Sequence, residues 1–367
     1  MATLTQNPLE TLIGNLEAQN KRKTDYIVPA GKLIWTPEND FIVQHAADHE
    51  SFYTPTELFE TQIAEKLGIP MHYYRKMQTN VPHLLQDNIN QWLGFYDKKQ
   101  FLVRGFTNHS TNVLTGRAFL SNSYNIIDDY EVLFAALEAI KETGVNVVID
   151  KAEITENRLY LHVTCPEVEI NAEAFLKEYL NENDAAGNGI ISGFTLTNSE
   201  VGRGAFEIRP RAVICKCNNG LIVKDDRFRR VHLGSKLEAG EVLWSDKTQR
   251  KNKEFIISQV TDAVKTYLSA DYLGVMVQKM TRLHDIKLTH PVDAVQNVCK
   301  ILKVDEKHKT YILQYFLGDG MKSAAGIYNA ITRETQKMDA DSQYEIEGNA
   351  LELIFKHKAY DKPFSKN

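Results

Sequence analysis

Apolar positions recur at helical spacing at Leu58, Ile63 and Leu67, and again at Leu84, Leu85, Ile89, Trp92 and Leu93. The first run carries a full set of helix signals: Thr54 is placed to cap it, Pro55 suits the first helical position, Glu57 closes a capping box, and Gly68 is placed to end it. A second helix is expected from Pro70 and a third near Pro82. Upstream, the first twenty-odd residues read as a loose arm closing with Lys21-Arg22-Lys23, followed by short strands around Lys32 to Trp35 and Phe41 to Gln44.

From Gln100 the period changes to two. Phe101 to Phe106 and Val113 to Ser121 read as strands joined by a polar turn. Tyr130 to Glu142 is an amphipathic helix ended by Gly144, and Val145 to Thr155 with Arg158 to Cys165 forms a hairpin around Glu156-Asn157. After a polar loop from Asn181 to Gly189, strands are expected at Ile190 to Thr197, Ala205 to Cys215 and Leu221 to Lys224, with Asn218-Asn219-Gly220 as a turn. Beyond Lys251 the pattern is helical. Asn252 to Leu283 reads as one long helix or two broken near Ser269-Ala270-Asp271, and further helices follow to about Phe355.

This order of segments predicts an α+β fold: a mostly antiparallel sheet with flanking helices, followed by an all-helical C-terminal region. The divisions expected are 1–50 as arm and short strands, 51–250 as the α+β core, and 251–367 as the helical region.

Composition adds a bound and then a contrast. The 367 residues are 43% apolar, 25% charged and 10% aromatic, as in an ordinary globular chain. Met1 to Asn20 lacks an apolar leader core, no stretch of about 18 apolar residues occurs, and four cysteines make no disulfide framework. A cytoplasmic protein is therefore expected, with no membrane span. The contrast is electrostatic. From Arg203 to Lys236 the chain carries nine Lys/Arg against three Asp/Glu, a local +6 inside a protein of formal net charge −5. Such asymmetry is the footprint of a phosphate-rich partner.

Within that segment, alternation puts Arg209 and Arg211 on one strand face, and Pro210 demotes the strand to an edge or bulge, leaving the arginine side open. Phe228 lies between Arg227 and Arg229-Arg230, and Phe206 between Arg203 and Arg209. Arginines on phosphates with aromatics stacked on bases is how single strands are held without sequence readout. Lys216, Asn219 and His232 add donors to the same segment, which completes the expected nucleic-acid-binding set. The competing reading is that these arginines pair with the acidic remainder and the aromatics are core.

Other constellations are thinner. Gly202-Arg203-Gly204 is a flexible turn whose backbone amides could approach a phosphate, but a bare G-x-G is a weak signal and an ordinary strand turn is the favoured reading. No G-x-x-x-x-G-K-[ST] occurs, so no nucleotide cofactor is expected. Gln62 to Met77 has the look of a helix-turn-helix with His72, Tyr73, Arg75 and Lys76 on its second helix, or of a packed helical hairpin. Cys215 and Cys217, and separately His45 and His49, are weak metal candidates beside a core or loop reading. Glu200, Asn219 and His232 would serve acid–base or metal chemistry only if the fold brought them together.

Several short runs carry a resemblance. These are Leu67-Gly68-Ile69-Pro70 followed by Tyr73-Tyr74-Arg75-Lys76-Met77, Gly116-Arg117-Ala118-Phe119-Leu120-Ser121 with Tyr124 and Ile127-Asp128, and Asn198-Ser199-Glu200-Val201-Gly202. With them go Cys217-Asn218-Asn219-Gly220, Arg229-Arg230-Val231-His232-Leu233-Gly234, Tyr328-Asn329-Ala330-Ile331-Thr332 and Tyr344-Glu345-Ile346-Glu347. From about residue 50 to 355 the chain resembles phage- and plasmid-borne proteins sharing domain of unknown function 932. The resemblance implies replication, recombination or defence evasion in a bacterial host, and it carries over no catalytic residues. The family pattern near Cys217 reads Cys-Thr-Asn-Gly, whereas Asn218 here replaces the hydroxyl residue.

The leading expectation is a single-stranded-DNA-binding protein of a mobile element, acting in recombination or replication and self-associating through its helical region. A metal-dependent nuclease or nucleotide-processing enzyme built on Glu200 and His232 is one alternative. A protein-interaction module that counters a host defence factor is another.

Overall fold

The computed structural model describes residues 8–45, 49–107, 114–171, 189–214, 220–222, 228–230 and 246–364. The fold is α+β, with mostly antiparallel sheets, flanking helices and a helical C-terminal region. No helix among the described residues is long and apolar enough to cross a membrane.

The chain opens with α1 (Pro8–Asn20) rather than a loose arm. Leu12 and Leu16, one helical turn apart, are buried beside Ile140 and Ala139. Burial of two leucines contributes about 1.5–3 kcal/mol each, enough to hold a helix that propensity alone would leave marginal.

Six strands then make the first sheet: β1 (Lys23–Pro29), β2 (Leu33–Trp35), β3 (Phe41–Gln44), β4 (Glu50–Pro55), β5 (Gln100–Thr107) and β6 (Leu114–Ser121). Their spatial order is β1-β5-β6-β4-β3-β2, antiparallel except for the parallel β4–β6 pair. Between β4 and β5 run α2 (Glu57–Leu67), α3 (Met71–Asn80) and α4 (Pro82–Phe95). They cover one sheet face with an aromatic core of Trp35, Phe41, Tyr53, Phe59, Phe101 and Phe119.

The capping of α2 corrects the sequence expectation by two residues. The β4 strand runs on through Pro55, whose register partner is Gly116, so Pro55 belongs to the sheet. Thr56 is the cap, its Oγ1 accepting from the Phe59 amide at 3.3 Å. Gly68 ends the helix with φ 72°, a left-handed conformation that favours glycine.

After α5 (Asp129–Thr143), the second sheet is built from β7 (Val148–Ile154), β8 (Leu159–Asn171), β9 (Gly189–Asn198), β10 (Phe206–Ile214), β11 (Gly220–Ile222) and β12 (Phe228–Arg230). The order is β11-β10-β9-β8-β7, with β12 also paired to β10. The helical region follows as α6 (Asp246–Tyr267), α7 (Ala270–Asp285), α8 (Pro291–Ile301), α9 (Glu306–Gly318), α10 (Ala324–Thr335) and α11 (Ala340–Ile354). The break expected near Ser269 is a helix start, with Ser269 Oγ accepting from the Tyr272 amide.

Alternation splits this sheet into an apolar and a polar face. Leu161, Val163, Phe194, Leu196 and Ile208 pack on α5 and α6. Ile190 and Ala212 continue into a core with Leu273, Met276, Ile327 and Leu351, so the helical region and the sheet share one interior. The opposite face carries Tyr160, His162, Thr195, Thr197, Glu207, Arg209 and Arg211, all buried. The α11 helix lies over part of it, with Tyr344 and Gly348 against Arg209.

Candidate anion-binding cleft

The open edge expected at Pro210 does not form. β10 pairs with β9 on one side and with both β11 and β12 on the other. The β12 partners are Phe206 to Ile208 and the β11 partners are Arg211 to Val213. Pro210 therefore sits in the interval between two short strands, where a missing N–H breaks no ladder.

Burial of the odd-numbered face re-aims the arginines expected to meet phosphate. Arg209 is 5% exposed and Arg211 8% exposed. Arg211 Nη1 pairs with Asp150 at 3.1 Å, and its Nε is buried without an acceptor among the described residues. Arg209 donates to Glu207 Oε2 from Nε at 2.8 Å and from Nη2 at 2.6 Å. For these two, pairing with acidic residues of the same chain is what the fold contains, and Arg211 takes no part in an open site.

Arg209 nevertheless reaches a cleft. A cavity of about 360 Å3 is lined by Arg158, Thr197, Glu207, Arg209, Arg229 and Tyr344, among others that include Gly204, Glu345 and Gly348. Glu207 organises it. Its Oε2 accepts from Arg209 and from the Tyr344 hydroxyl at 2.7 Å, and its Oε1 accepts from Arg229 Nε at 3.0 Å. One buried carboxylate thus orients two guanidiniums and a phenol. Burial raises the Tyr344 hydroxyl above the ordinary tyrosine range despite Arg209 beside it, so the phenol stays protonated and donates.

The arginines are seated against glycines. A Cβ at Gly348 would stand 2.5 Å from Arg209 Nη1, and one at Gly204 would stand 2.7 Å from Arg158 Nε. Arg158 is held in place by the Arg203 carbonyl, to which its Nε donates at 3.0 Å, and it pairs with Glu345 at 3.4 Å. Arg209 Nη1 is buried and has no hydrogen-bond acceptor among the described residues. An unmet donor on a buried cation costs more than about 1–3 kcal/mol, so native structures keep few of them without a purpose.

The remaining expected residues divide clearly. Arg203 is exposed on the turn beside the cleft, and Arg229 is exposed at its mouth with a side chain 45% accessible. The backbones of Phe228 and Arg230 lie in β12, paired with Ile208 and Phe206. Lys216, Asn219, Arg227 and His232 lie outside the described residues, as do Cys215 and Cys217.

Glu200 belongs to a separate, structural cluster between the two sheets. Its carboxylate accepts from Lys23 Nζ at 2.6 Å, Arg117 Nη1 at 2.8 Å and the Asp129 amide at 2.8 Å. Arg104, fully buried on β5, donates bidentately to Asp25 at 2.8 Å and to the Glu200 carbonyl at 2.7 Å. Burial pushes the Glu200 carboxyl up, but Arg117 and Lys23 outweigh it and hold it below its usual range. Burial and the Glu200 charge together raise Asp129 well above its own. With its lone pairs occupied by three donors, Glu200 is a joint between sheets and a poor candidate for a metal ligand.

The helix-turn-helix reading meets a packed hairpin. Arg75 pairs with Glu60 on the preceding helix and hydrogen-bonds Gln78 at 2.7 Å, while Tyr74 and Met77 are buried. His72, Tyr73 and Lys76 remain exposed. His45 stacks on His49 with ring centroids 5.6 Å apart and shares a 2.9 Å hydrogen bond with Ser51.

Arg158, Glu207 and Tyr344 were not among the expected binding residues. Their sequence separations are large, 137 residues for the Tyr344–Glu207 contact, and no local pattern brings them together. No protein-family model, no curated protein and no solved structure matches the chain.

Proposed function

We propose that this protein binds phosphate groups of a nucleic acid strand at the Arg158–Arg209–Arg229 cleft, with single-stranded DNA as the favoured form and recombination or replication of a mobile element as the setting. The observation that carries the reading is the convergence of three arginines from three separate strands or turns on one open cavity, with the exposed Arg203 beside it. A strand with unpaired bases suits a cavity of about 360 Å3, which has room for a nucleotide-sized group and none for the paired backbones of a duplex. The resemblance of the central block to phage and plasmid proteins supports the same setting.

The test is fluorescence anisotropy of labelled single-stranded and double-stranded oligonucleotides across a salt series, with wild type beside Arg203→Glu/Arg229→Glu. Binding to single strands should weaken with a log–log slope of roughly −0.7 per phosphate contact and fall sharply in the double variant. Absence of binding to either form at low salt overturns the reading and favours a protein partner.

A further inference from the structure

Helix α4 has two apolar faces. Leu85, Ile89 and Leu93 face the aromatic core of the first sheet and are buried. Val81, at the helix cap, forms a second stripe on the outward side with Leu84, Trp92 and Phe95, from 40% exposed at Trp92 to 72% at Phe95. Single exposed apolar residues are ordinary, but four along one helix make a patch of the kind that marks an interaction surface. The ionisable residues of the helix, His83 and Asp87, fall off the stripe by the helical period, so the stripe itself is uncharged.

The spacing of the stripe is the same read in either direction. Val81 and Leu84 lie seven and four residues before Asn88, and Trp92 and Phe95 lie four and seven after it. Two antiparallel helices related by a two-fold axis through Asn88 therefore bring Val81 opposite Phe95 and Leu84 opposite Trp92. Each large ring meets a smaller aliphatic side chain, which is how facing layers interdigitate. A partner of another kind would impose no such symmetry. Asn88, half-buried, is the polar member of the stripe and meets its own copy on the axis, where a paired amide fixes register. The rings are already ordered: Phe95 stands edge-on to Trp92 at 5.8 Å between centroids and to Tyr96 at 5.0 Å. Little side-chain freedom is left to lose on docking.

We propose that α4 is the contact between two copies of this chain, an isologous antiparallel helix pair centred on Asn88. The surface shares no residue with the cleft and stands whether or not the cleft binds nucleic acid. The 14-residue helix is about 21 Å long, which places the interface at the small end of specific ones. The dimer should therefore dissociate at roughly micromolar concentration.

The test is sedimentation velocity of the full chain, without nucleic acid, across a concentration series spanning that value. Wild type should pass from monomer to dimer as concentration rises. Leu84→Glu and Trp92→Ser change exposed side chains, so both should fold, and thermal melts check that they do. Each should raise the dissociation constant about tenfold or more. Asn88→Cys should give a disulfide-linked dimer under mild oxidation, beyond any seen in wild type, because the two-fold sets position 88 against itself. Asp87→Cys, off the stripe, should not. A monomer at every concentration overturns the proposal, and so does a dimer that survives both surface variants. Loss of the dimer in those variants with no cross-link at position 88, or with equal cross-linking at position 87, overturns the two-fold pairing.

Discussion

The Arg209 guanidinium lies 3.6 Å from the centre of the Tyr344 ring, so a sheet strand and a helix 135 residues further on meet as cation and π-face. The hydroxyl of the same ring donates to Glu207 and accepts from Thr197 at 3.0 Å. Tyr344→Phe keeps the cation–π contact and removes a hydrogen bond to a buried carboxylate. A loss of about 1.5–3 kcal/mol is expected in urea denaturation. Tyr344→Leu removes the ring as well and should cost more by about 0.5–2 kcal/mol.

Arg104 holds the joint between the sheets. Its removal strips the Asp25 carboxylate of its bidentate partner and the Glu200 carbonyl of a donor, while Lys23 still bridges Asp128 and the Glu200 carboxylate. Arg104→Ala is expected to destabilise by about 3–5 kcal/mol, as for other broken buried pairs. Arg104→Lys retains the charge without the bidentate fork and should cost less. Neither effect depends on nucleic acid, so denaturation midpoints measured with and without oligonucleotide should shift in parallel.

The two candidate caps of α2 make opposite predictions. Thr56→Ala removes the acceptor for the Phe59 amide and should cost about 1 kcal/mol. Thr54, on β4, has a long 3.3 Å contact to Asp40 at an exposed site, so Thr54→Ala should stay within about 0.5 kcal/mol. Paired denaturation curves decide between them.

His162 gives stability a pH dependence of defined sign. Burial, then the charges of Arg211 and Lys151, push its imidazole well below 6.5, so the folded chain keeps it neutral. The unfolded chain takes up a proton near 6.5 and gains free energy that the fold lacks. Stability therefore falls as pH drops below about 6.5, by at most about 1.4 kcal/mol per pH unit from this group. Glu347 acts in the opposite sense. Burial raises its carboxyl, so folding favours its protonated form and stability falls as pH rises through that titration. The difference between wild type and His162→Gln isolates the histidine, and its slope below pH 6.5 should correspond to about one proton.

Local signals carried most of the secondary structure into view. Gly68 and Gly144 end helices with φ 72° and 73°, where only their flanking apolar periodicity and a glycine were needed to foresee it. The alternation in β8 and β9 foretold strands, and of the two readings left open for Asn252 to Leu283, one helix or two broken near Ser269, the structure has the second. What escaped was tertiary. Alternation put Arg209 and Arg211 on one face correctly, but the covering of that face by α11 is set by contacts more than a hundred residues away. Burial then drew Arg211 into an internal ion pair with Asp150 and set Arg209 against Glu207 at the wall of a cleft. The same limit hid Arg158 and Tyr344, and it hid the partners that make Glu200 a joint.

Because α11 residues from Tyr344 to Asn349 line a cleft whose remaining walls come from residues 158–229, the cleft cannot exist on a nascent chain until α11 has left the ribosome. The first sheet draws its strands from residues 23–121 and has all of them available long before. Synthesis thus separates the appearance of a folded body from the appearance of its site. A chain cut short before residue 340 would keep β9 and β10 but leave their polar face, with Glu207 and Arg209, open to water.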